Sequence, residues 1–277
     1  MQFANLCDGF GVETHEADLA HLDQTTFDAL WNAWLAHHVL VVRGQKLTPR
    51  QFHAFAQRFG TPEPHVIDQF HHPEIADILL LSNVKRHGEP IGLQDAGTYF
   101  HTDYSYLAVP ARCTTLYSIS VPAAGGETVF ANQTAAYDDL PADMKRRIDP
   151  LIGRHHYGNR DDLDVKSRTV ASVLNEEQED KMQWVRHRIA RPHPLTGEKS
   201  LYSVSGSSFG IEGMEEDAAV RLLDELKEHA TQRKYQYTHN YAVGDVIVWD
   251  NAQLLNAAPL TDPNDPRTLW RITIKEQ

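Results

Sequence analysis

The sequence predicts an α+β protein built around a β-sandwich or barrel. Three observations carry this. Short apolar runs of strand type occur at both ends of the chain, the middle is rich in β-branched residues, and amphipathic helices lie at the flanks. Periodicity alone leaves sandwich, jelly roll and open sheet as alternatives.

Taken in order, Phe27, Leu30, Trp31, Trp34 and Leu35 recur at the spacing of a helix with one buried face. Val39-Leu40-Val41-Val42, ending at Gly44, reads as a buried strand. Thr48-Pro49-Arg50-Gln51 supplies an N-cap, a proline at the first helical position and the acceptor of a capping box. Phe52, Phe55, Ala56 and Phe59 then form one apolar face, stopped by Gly60. Ile78 to Leu81, Cys113 to Val121 and Thr128 to Phe130 are strand candidates, with a turn at Ala123-Ala124-Gly125-Gly126. A helical pair is expected over 133–152, with Pro141 opening its second piece. Ala219, Leu222, Leu223 and Leu226 mark a helix over about 215–231. Tyr235 to Thr238, Val246 to Trp249 and Thr268 to Ile274 close the chain as strands.

No repeat or low-complexity linker divides the 277 residues, so one domain over 1–277 is expected. The polar stretch around 158–183 reads either as an insertion over an active site or as a solvated loop. With 38 acids against 26 bases the net charge is −12, which argues against a nucleic-acid binder that tracks phosphates. No apolar run reaches the roughly 18 to 20 residues of a bilayer span. The first residues show no basic region and no long apolar stretch, so no secretory signal is expected. Two cysteines, Cys7 and Cys113, suit reduced thiols in a cytoplasmic protein better than a disulfide framework.

The strongest local signal is Phe100-His101-Thr102-Asp103. On a strand, residues i and i+2 share a face, so His101 and Asp103 can offer an imidazole and a carboxylate to one metal. A third ligand would complete a 2-His-1-carboxylate triad, which leaves positions open for oxygen chemistry. Alone, the pair reads equally as a surface contact beside Tyr99, Phe100, Tyr104 and Tyr106.

Further motifs occur in a fixed order. They are Val41 to Gln45, Phe55 to Gly60, Gly125-Gly126-Glu127-Thr128, Val243-Gly244-Asp245, Trp249-Asp250-Asn251 and Asp265 to Arg271. Together with His101-Thr102-Asp103 they span nearly the whole chain. In this the sequence resembles the Fe(II)- and 2-oxoglutarate-dependent dioxygenases of the taurine dioxygenase / 2,4-dichlorophenoxyacetate dioxygenase family. The resemblance implies a double-stranded β-helix (jelly roll) with flanking helices. It also implies His101 and Asp103 as iron ligands, Thr128 as a hydroxyl donor to 2-oxoglutarate and Arg267 as the clamp on its distal carboxylate. Arg271, four residues on, falls where the family meets an anionic group of the substrate. His65, Asn83, Tyr99, Tyr104 and Tyr106 are further candidates for the substrate pocket, and Tyr202 to Gly210 either shapes that pocket or forms a plain turn. Each arginine, taken singly, also reads as a surface ion pair, and His65 as a structural histidine.

One departure matters. The family carries its second iron histidine seven residues after the tryptophan of Trp-Asp-Asn, and here that residue is Asn256. An asparagine oxygen is a neutral and weaker donor than imidazole. No histidine follows His239, which precedes a separate strand. Three readings fit: iron held by His101, Asp103 and Asn256; an inactive or repurposed member; or a deliberate replacement of a ligand. The expected function is hydroxylation of a small, anionic organic substrate by Fe(II), 2-oxoglutarate and O2, with release of succinate and CO2, weakened or abolished by Asn256. The alternative is a non-catalytic ligand-binding protein on the same fold. No nucleic-acid or membrane partner is expected, and the resemblance implies a homo-oligomer.

Overall fold

The computed structural model describes residues 1–158 and 174–277. The strand Val39–Val42 is buried along its whole length, because its two faces serve two different cores. Val39 and Val41 join one cluster, and Leu40 and Val42 join another. This is the period-two alternation of a strand in a covered sheet. The sheet has seven strands, in the order Ala4–Asn5, Val12–Thr14, Val39–Val42, Val246–Asp250, Ala111–Ser120, Thr268–Lys275 and Leu79–Ser82. Its pairings are antiparallel except between Val12–Thr14 and Val39–Val42.

Two helices cover one face. Gln24–His37 contributes Phe27, Leu30 and Trp34, and Pro49–Gln57 contributes Phe52 and Phe55, against Leu40, Val42, Val246, Val248, Ile272 and Ile274. Burial of each such side chain contributes about 1.5–3 kcal/mol. The expected capping box is present in both halves, with Thr48 and Gln51 each bonding the other's backbone N–H.

The opposite face meets a smaller sheet, in which Thr128–Asn132 lies between Gln236–His239 and Leu254–Ala257. Val39, Val41, Leu81, Leu116, Ile247, Trp249 and Leu269 of the large sheet pack there with Phe130 and Leu254 of the small one. Behind the small sheet, Ala131 and Leu255 pack on Leu222, Leu223 and Leu226 of the helix Glu216–Ala230. Helices, large sheet, small sheet and helix therefore stack in that order, with the candidate site between the sheets.

Several expectations need correction. The helical pair is Gln133–Asp138 and Ala142–Ile148, and by Ile152–His155 the chain has become a strand. That strand lies between Val185–Arg188 and Ser208–Ile211. This small sheet escaped detection because its buried positions include histidines, His155 and His187, instead of aliphatic residues. The segment Tyr202–Gly210 is not a plain turn, since it enters this sheet at Ser208. Most of the proposed 158–183 insertion, 159–173, lies outside the described residues. Of the remainder, Asn175 caps a short helix, Glu176–Asp180. Among the described residues no helix is long and apolar enough to cross a membrane. Cys113 is buried, Cys7 is half-buried, and neither is bridged.

Candidate active site

Alternation also assembles the site. Leu254 points between the sheets, so Asn256, two residues on, does too. Phe130 points there, and with it Thr128. Leu269 carries Arg267 and Arg271 to the same side, and Leu116 carries Thr114.

His101 and Asp103 reach this space by a different route from the one expected. They do not lie on a regular strand. His101 forms a single antiparallel bridge with Asn256, through reciprocal backbone bonds of 2.9 and 2.8 Å. Asp103 then opens a turn in which Tyr104 is left-handed, with φ 54°. The two side chains nonetheless converge, with His101 Nε2 3.3 Å from Asp103 Oδ1. Gly97 and Gly206 close in on either side of His101. A Cβ at Gly97 would sit 2.3 Å from His101 Cε1, one at Gly206 would sit 2.7 Å from His101 Cβ, and both glycines have positive φ.

The His101 tautomer is set by its neighbour. Nδ1 lies 2.9 Å from the Tyr99 carbonyl, which only accepts, so Nδ1 carries the proton. Nε2 is left with a free lone pair, the form that binds metals. Asn256 Nδ2 lies 3.4 Å from that Nε2, and Asn256 Oδ1 is buried without a hydrogen-bond partner among the described residues. Burial alone would raise the Asp103 pKa; Arg271, His101 and Thr114 more than reverse this and hold the carboxyl well below its ordinary range. Among the described residues no three His, Cys, Asp or Glu side chains gather at one point, and the polar group beside the His101–Asp103 pair on this side is the Asn256 amide.

Two cavities meet at this pair. One is lined by Thr128, Asn256, Arg267 and Asn83. The other is lined by His65, Tyr99, Tyr104, Tyr106, Tyr157 and Ser207. His101, Asp103 and Arg271 line both.

In the first cavity, Arg267 Nε donates to the Gly126 carbonyl at 3.0 Å, and no carboxylate among the described residues pairs with its guanidinium. Burial lowers its pKa, because desolvation disfavours the charged form. Thr128 Oγ1 shares a 2.8 Å hydrogen bond with Tyr241 Oη, whose own pKa burial pushes up to about 12. Asn83 has a different occupation from the one expected. Its amide donates to the carbonyls of Asp262 and Asp265 and accepts from Arg267 N at 2.8 Å, so it braces the loop that presents Arg267.

In the second cavity, Arg271 forms an ion pair of 2.9 Å with Asp103 Oδ1 and lies over the Tyr104 ring, 5.5 Å from its centre. Tyr104, Tyr106 and Tyr157 follow one another ring to ring, tilted at 5.6 Å and then edge-on at 4.9 Å between centres. Burial first, then the Arg271 charge, depresses the His65 pKa to about 3, so this imidazole is neutral at physiological pH. His65 Nδ1 accepts from Ile67 N at 3.1 Å. His239 lies elsewhere, its ring 4.6 Å from that of Tyr241 and lining neither cavity.

Sequence reasoning missed Tyr241, Tyr157, Thr114 and the role of Asn251. Only Asn251 carried a signal, as the last residue of Trp-Asp-Asn. The others are ordinary strand or loop residues until the fold brings them to the site.

The chain is 31% identical to pentalenolactone F synthase of Streptomyces arenae over 273 residues, covering 95% of this chain and 91% of that protein. It is 34% identical to the alpha-ketoglutarate-dependent 2,4-dichlorophenoxyacetate dioxygenase of Burkholderia sp. (strain RASC) over 247 residues, covering 85% and 80%. The crystal structure of AAD-2 in complex with Mn(II) and N-oxalylglycine superposes with a TM-score of 0.83 at 27% identity, over 100% of this chain and 98% of that one. N-oxalylglycine is an analogue of 2-oxoglutarate, and enzymes of this group use Fe(II) and 2-oxoglutarate. The profile of one family matches residues 2–273, and the chain belongs to it: the taurine catabolism dioxygenase TauD, TfdA family.

Proposed function

We propose that this chain is an Fe(II)- and 2-oxoglutarate-dependent oxygenase that hydroxylates a small anionic organic molecule, with Asn256 standing where its family carries a metal-binding histidine. One observation carries the reading: two cavities share His101, Asp103 and Arg271, and the first has at its far side an arginine without a carboxylate partner among the described residues. Period-two packing of the facing sheets supports a double-stranded β-helix, or jelly roll, as the scaffold.

The donors fit a metal ion. An octahedral ion with bonds of about 2.1 Å sets neighbouring donors about 3 Å apart, and His101 Nε2 lies 3.3 Å from Asp103 Oδ1 and 3.4 Å from the Asn256 amide. Rotating that amide by half a turn would direct its unpartnered oxygen toward the same point. His101, Asp103 and Asn256 would thus hold Fe(II), with Arg267 and Thr128 receiving 2-oxoglutarate. Bound there, the pair would supply activation of O2 for oxidation of a C–H bond, with release of succinate and CO2. Arg267 orients the 2-oxo acid through two parallel hydrogen bonds. Arg271 faces the second cavity and suits a carboxylate or sulfonate, while Tyr104, Tyr106 and Tyr157 frame an organic body and exclude water. His65, neutral and half-buried, contributes a hydrogen bond without a competing charge. A neutral amide in place of imidazole weakens the metal site and with it turnover.

The test is succinate formation with Fe(II), 2-oxoglutarate and a panel of small carboxylates and sulfonates, for this chain and for Asn256→His. The expected result is slow turnover that the histidine form accelerates. Absence of succinate from both forms would sink the reading. A second reading, a non-catalytic ligand-binding protein, draws support from the Arg271–Asp103 ion pair, which engages the same carboxylate oxygen that a metal needs. It predicts a thermal shift with 2-oxoglutarate that Mn(II) does not enlarge. The family resemblance also leads us to expect a homo-oligomer in the cytoplasm, which sedimentation and fractionation would check.

A further inference from the structure

The two oxygens of Asp103 have different neighbours. Oδ1 faces His101 at 3.3 Å and Arg271 at 2.9 Å. Oδ2 faces away from the cavity and accepts from Thr114 Oγ1 at 2.6 Å. Behind Thr114 the bonding continues. Asn251 Nδ2 donates to Thr114 Oγ1 at 3.0 Å, and Trp249 Nε1 donates to Asn251 Oδ1 at 3.1 Å. Trp249, Asn251, Thr114 and Asp103 are 2%, 0%, 0% and 4% exposed, so solvent offers none of them an alternative partner.

The direction of this chain is forced from its far end. An indole N–H can only donate, so the Asn251 oxygen must face Trp249 and its NH2 must face Thr114. A lone pair of the Thr114 hydroxyl is thereby taken, and its single proton goes to Asp103 Oδ2. Backbone register fixes the parts: Thr114 pairs with Trp249 on one side and Thr273 on the other, and Asn251 N donates to the Arg112 carbonyl at 2.9 Å.

We infer that Trp249, Asn251 and Thr114 form a positioning relay that makes Asp103 a one-oxygen metal ligand, with Oδ2 held by Thr114 and Oδ1 alone turned to the cavity. This rests on the reading of Asp103 as a ligand. The physical need is plain. A facial site works by leaving coordination positions open for the 2-oxo acid and O2, and a carboxylate free to swing would bind through both oxygens and fill one of them. The Trp249 ring also lines the first cavity, but its indole N–H, like Asn251 and Thr114, acts through Asp103.

The experiment compares Thr114→Val, Thr114→Ser and Trp249→Phe, each in this chain and in the Asn256→His form. Mn(II) binding is read from the free-ion EPR signal, and folding from the melting of metal-free protein. Thr114→Val should weaken Mn(II) binding by about 10- to 100-fold, the loss typical of a missing outer partner. Thr114→Ser, which keeps the hydroxyl, should stay within about threefold of the parent. Trp249→Phe should fall between them, because Asn251 is then free to turn. Unchanged binding in Thr114→Val, or a serine form as weak as the valine form, would overturn the relay and leave the oxygenase reading intact. Failure of Mn(II) to bind any form, Asn256→His included, would overturn that reading and the relay with it.

Discussion

Arg267 and Arg271 sit four residues apart, one just before and one within the strand Thr268–Lys275, and both face the interior between the sheets. Their electrical situations are opposite. Arg267 has no carboxylate partner among the described residues, and burial lowers its pKa. For Arg271, burial pulls the same way, but Asp103 at 2.9 Å more than reverses it and the pKa rises. The pair teaches that a shared face and residue type do not set a role. The nearest fixed anion does: Arg267 has no carboxylate partner among the described residues, while Arg271 is already committed to Asp103.

The largest effect that tests this contrast is on stability. Arg271→Gln strands a buried carboxylate, and removal of one member of a buried pair costs about 3–5 kcal/mol. Arg267→Gln removes one hydrogen bond and no ion pair, at a cost of about 1 kcal/mol. Urea unfolding of the two variants should therefore separate clearly, and equal midpoints would remove the distinction.

Next comes ligand binding. Arg267→Ala should weaken N-oxalylglycine by about 100-fold, the worth of a charge-assisted fork of hydrogen bonds. Arg267→Lys should recover only part, since an ammonium cannot offer two parallel donors. Calorimetry with Mn(II) in the Asn256→His form measures this, and an Arg267→Ala variant that binds as the parent does would exclude the assigned clamp.

The pH at which these comparisons are made matters, because other groups titrate. Burial, aided by His187 for His155 and by Arg43 for His239, lowers both pKa values to about 3. An unfolded histidine titrates near 6.5. Between these values the unfolded chain binds more protons, so stability is fully present above about pH 6.5 and falls as the pH drops toward 3. Each of these histidines contributes a slope of about 1.4 kcal/mol per pH unit. Both arginines stay charged throughout this window. His155→Gln should flatten the pH dependence of stability measured from pH 6.5 to 4, whereas an unchanged slope would place the acid lability elsewhere.

The smallest effect concerns the hydroxyl beside Arg267. Tyr241→Phe removes the 2.8 Å partner of Thr128. A loss of about 1 kcal/mol, some fivefold in N-oxalylglycine affinity, is expected with Mn(II) affinity unchanged. A loss confined to the metal would assign Tyr241 to the other side of the site.

Much of this arrangement was legible beforehand. The helix starts at Thr48, the strands Val39–Val42 and Thr268–Lys275 and the helix Glu216–Ala230 follow from spacing and capping, which are local properties. The His101–Asp103 convergence was anticipated, but through a strand that is in fact one bridge and a turn. The sheet formed by Ile152–His155 and its neighbours was not legible, because His155, His187 and Ser208 occupy buried positions and blur the hydrophobic alternation. Asn83, a substrate-pocket candidate by sequence, lines the first cavity, and its bracing of the Arg267 loop depends on carbonyls some 180 residues away.

The sequence by itself determined which chemical groups are present: an imidazole and a carboxylate two residues apart, a threonine after paired glycines, two arginines on one face, and an asparagine at a position where imidazole was expected. Tertiary structure decided what each group faces. It joined Asp103 to Arg271 and Thr114, left Arg267 without a carboxylate among the described residues, and fixed the His101 tautomer through the Tyr99 carbonyl. The reason is the range of the forces. Propensity and alternation act over a few residues, whereas the pairing of buried charges and the direction of a hydrogen-bond chain depend on which strands become neighbours.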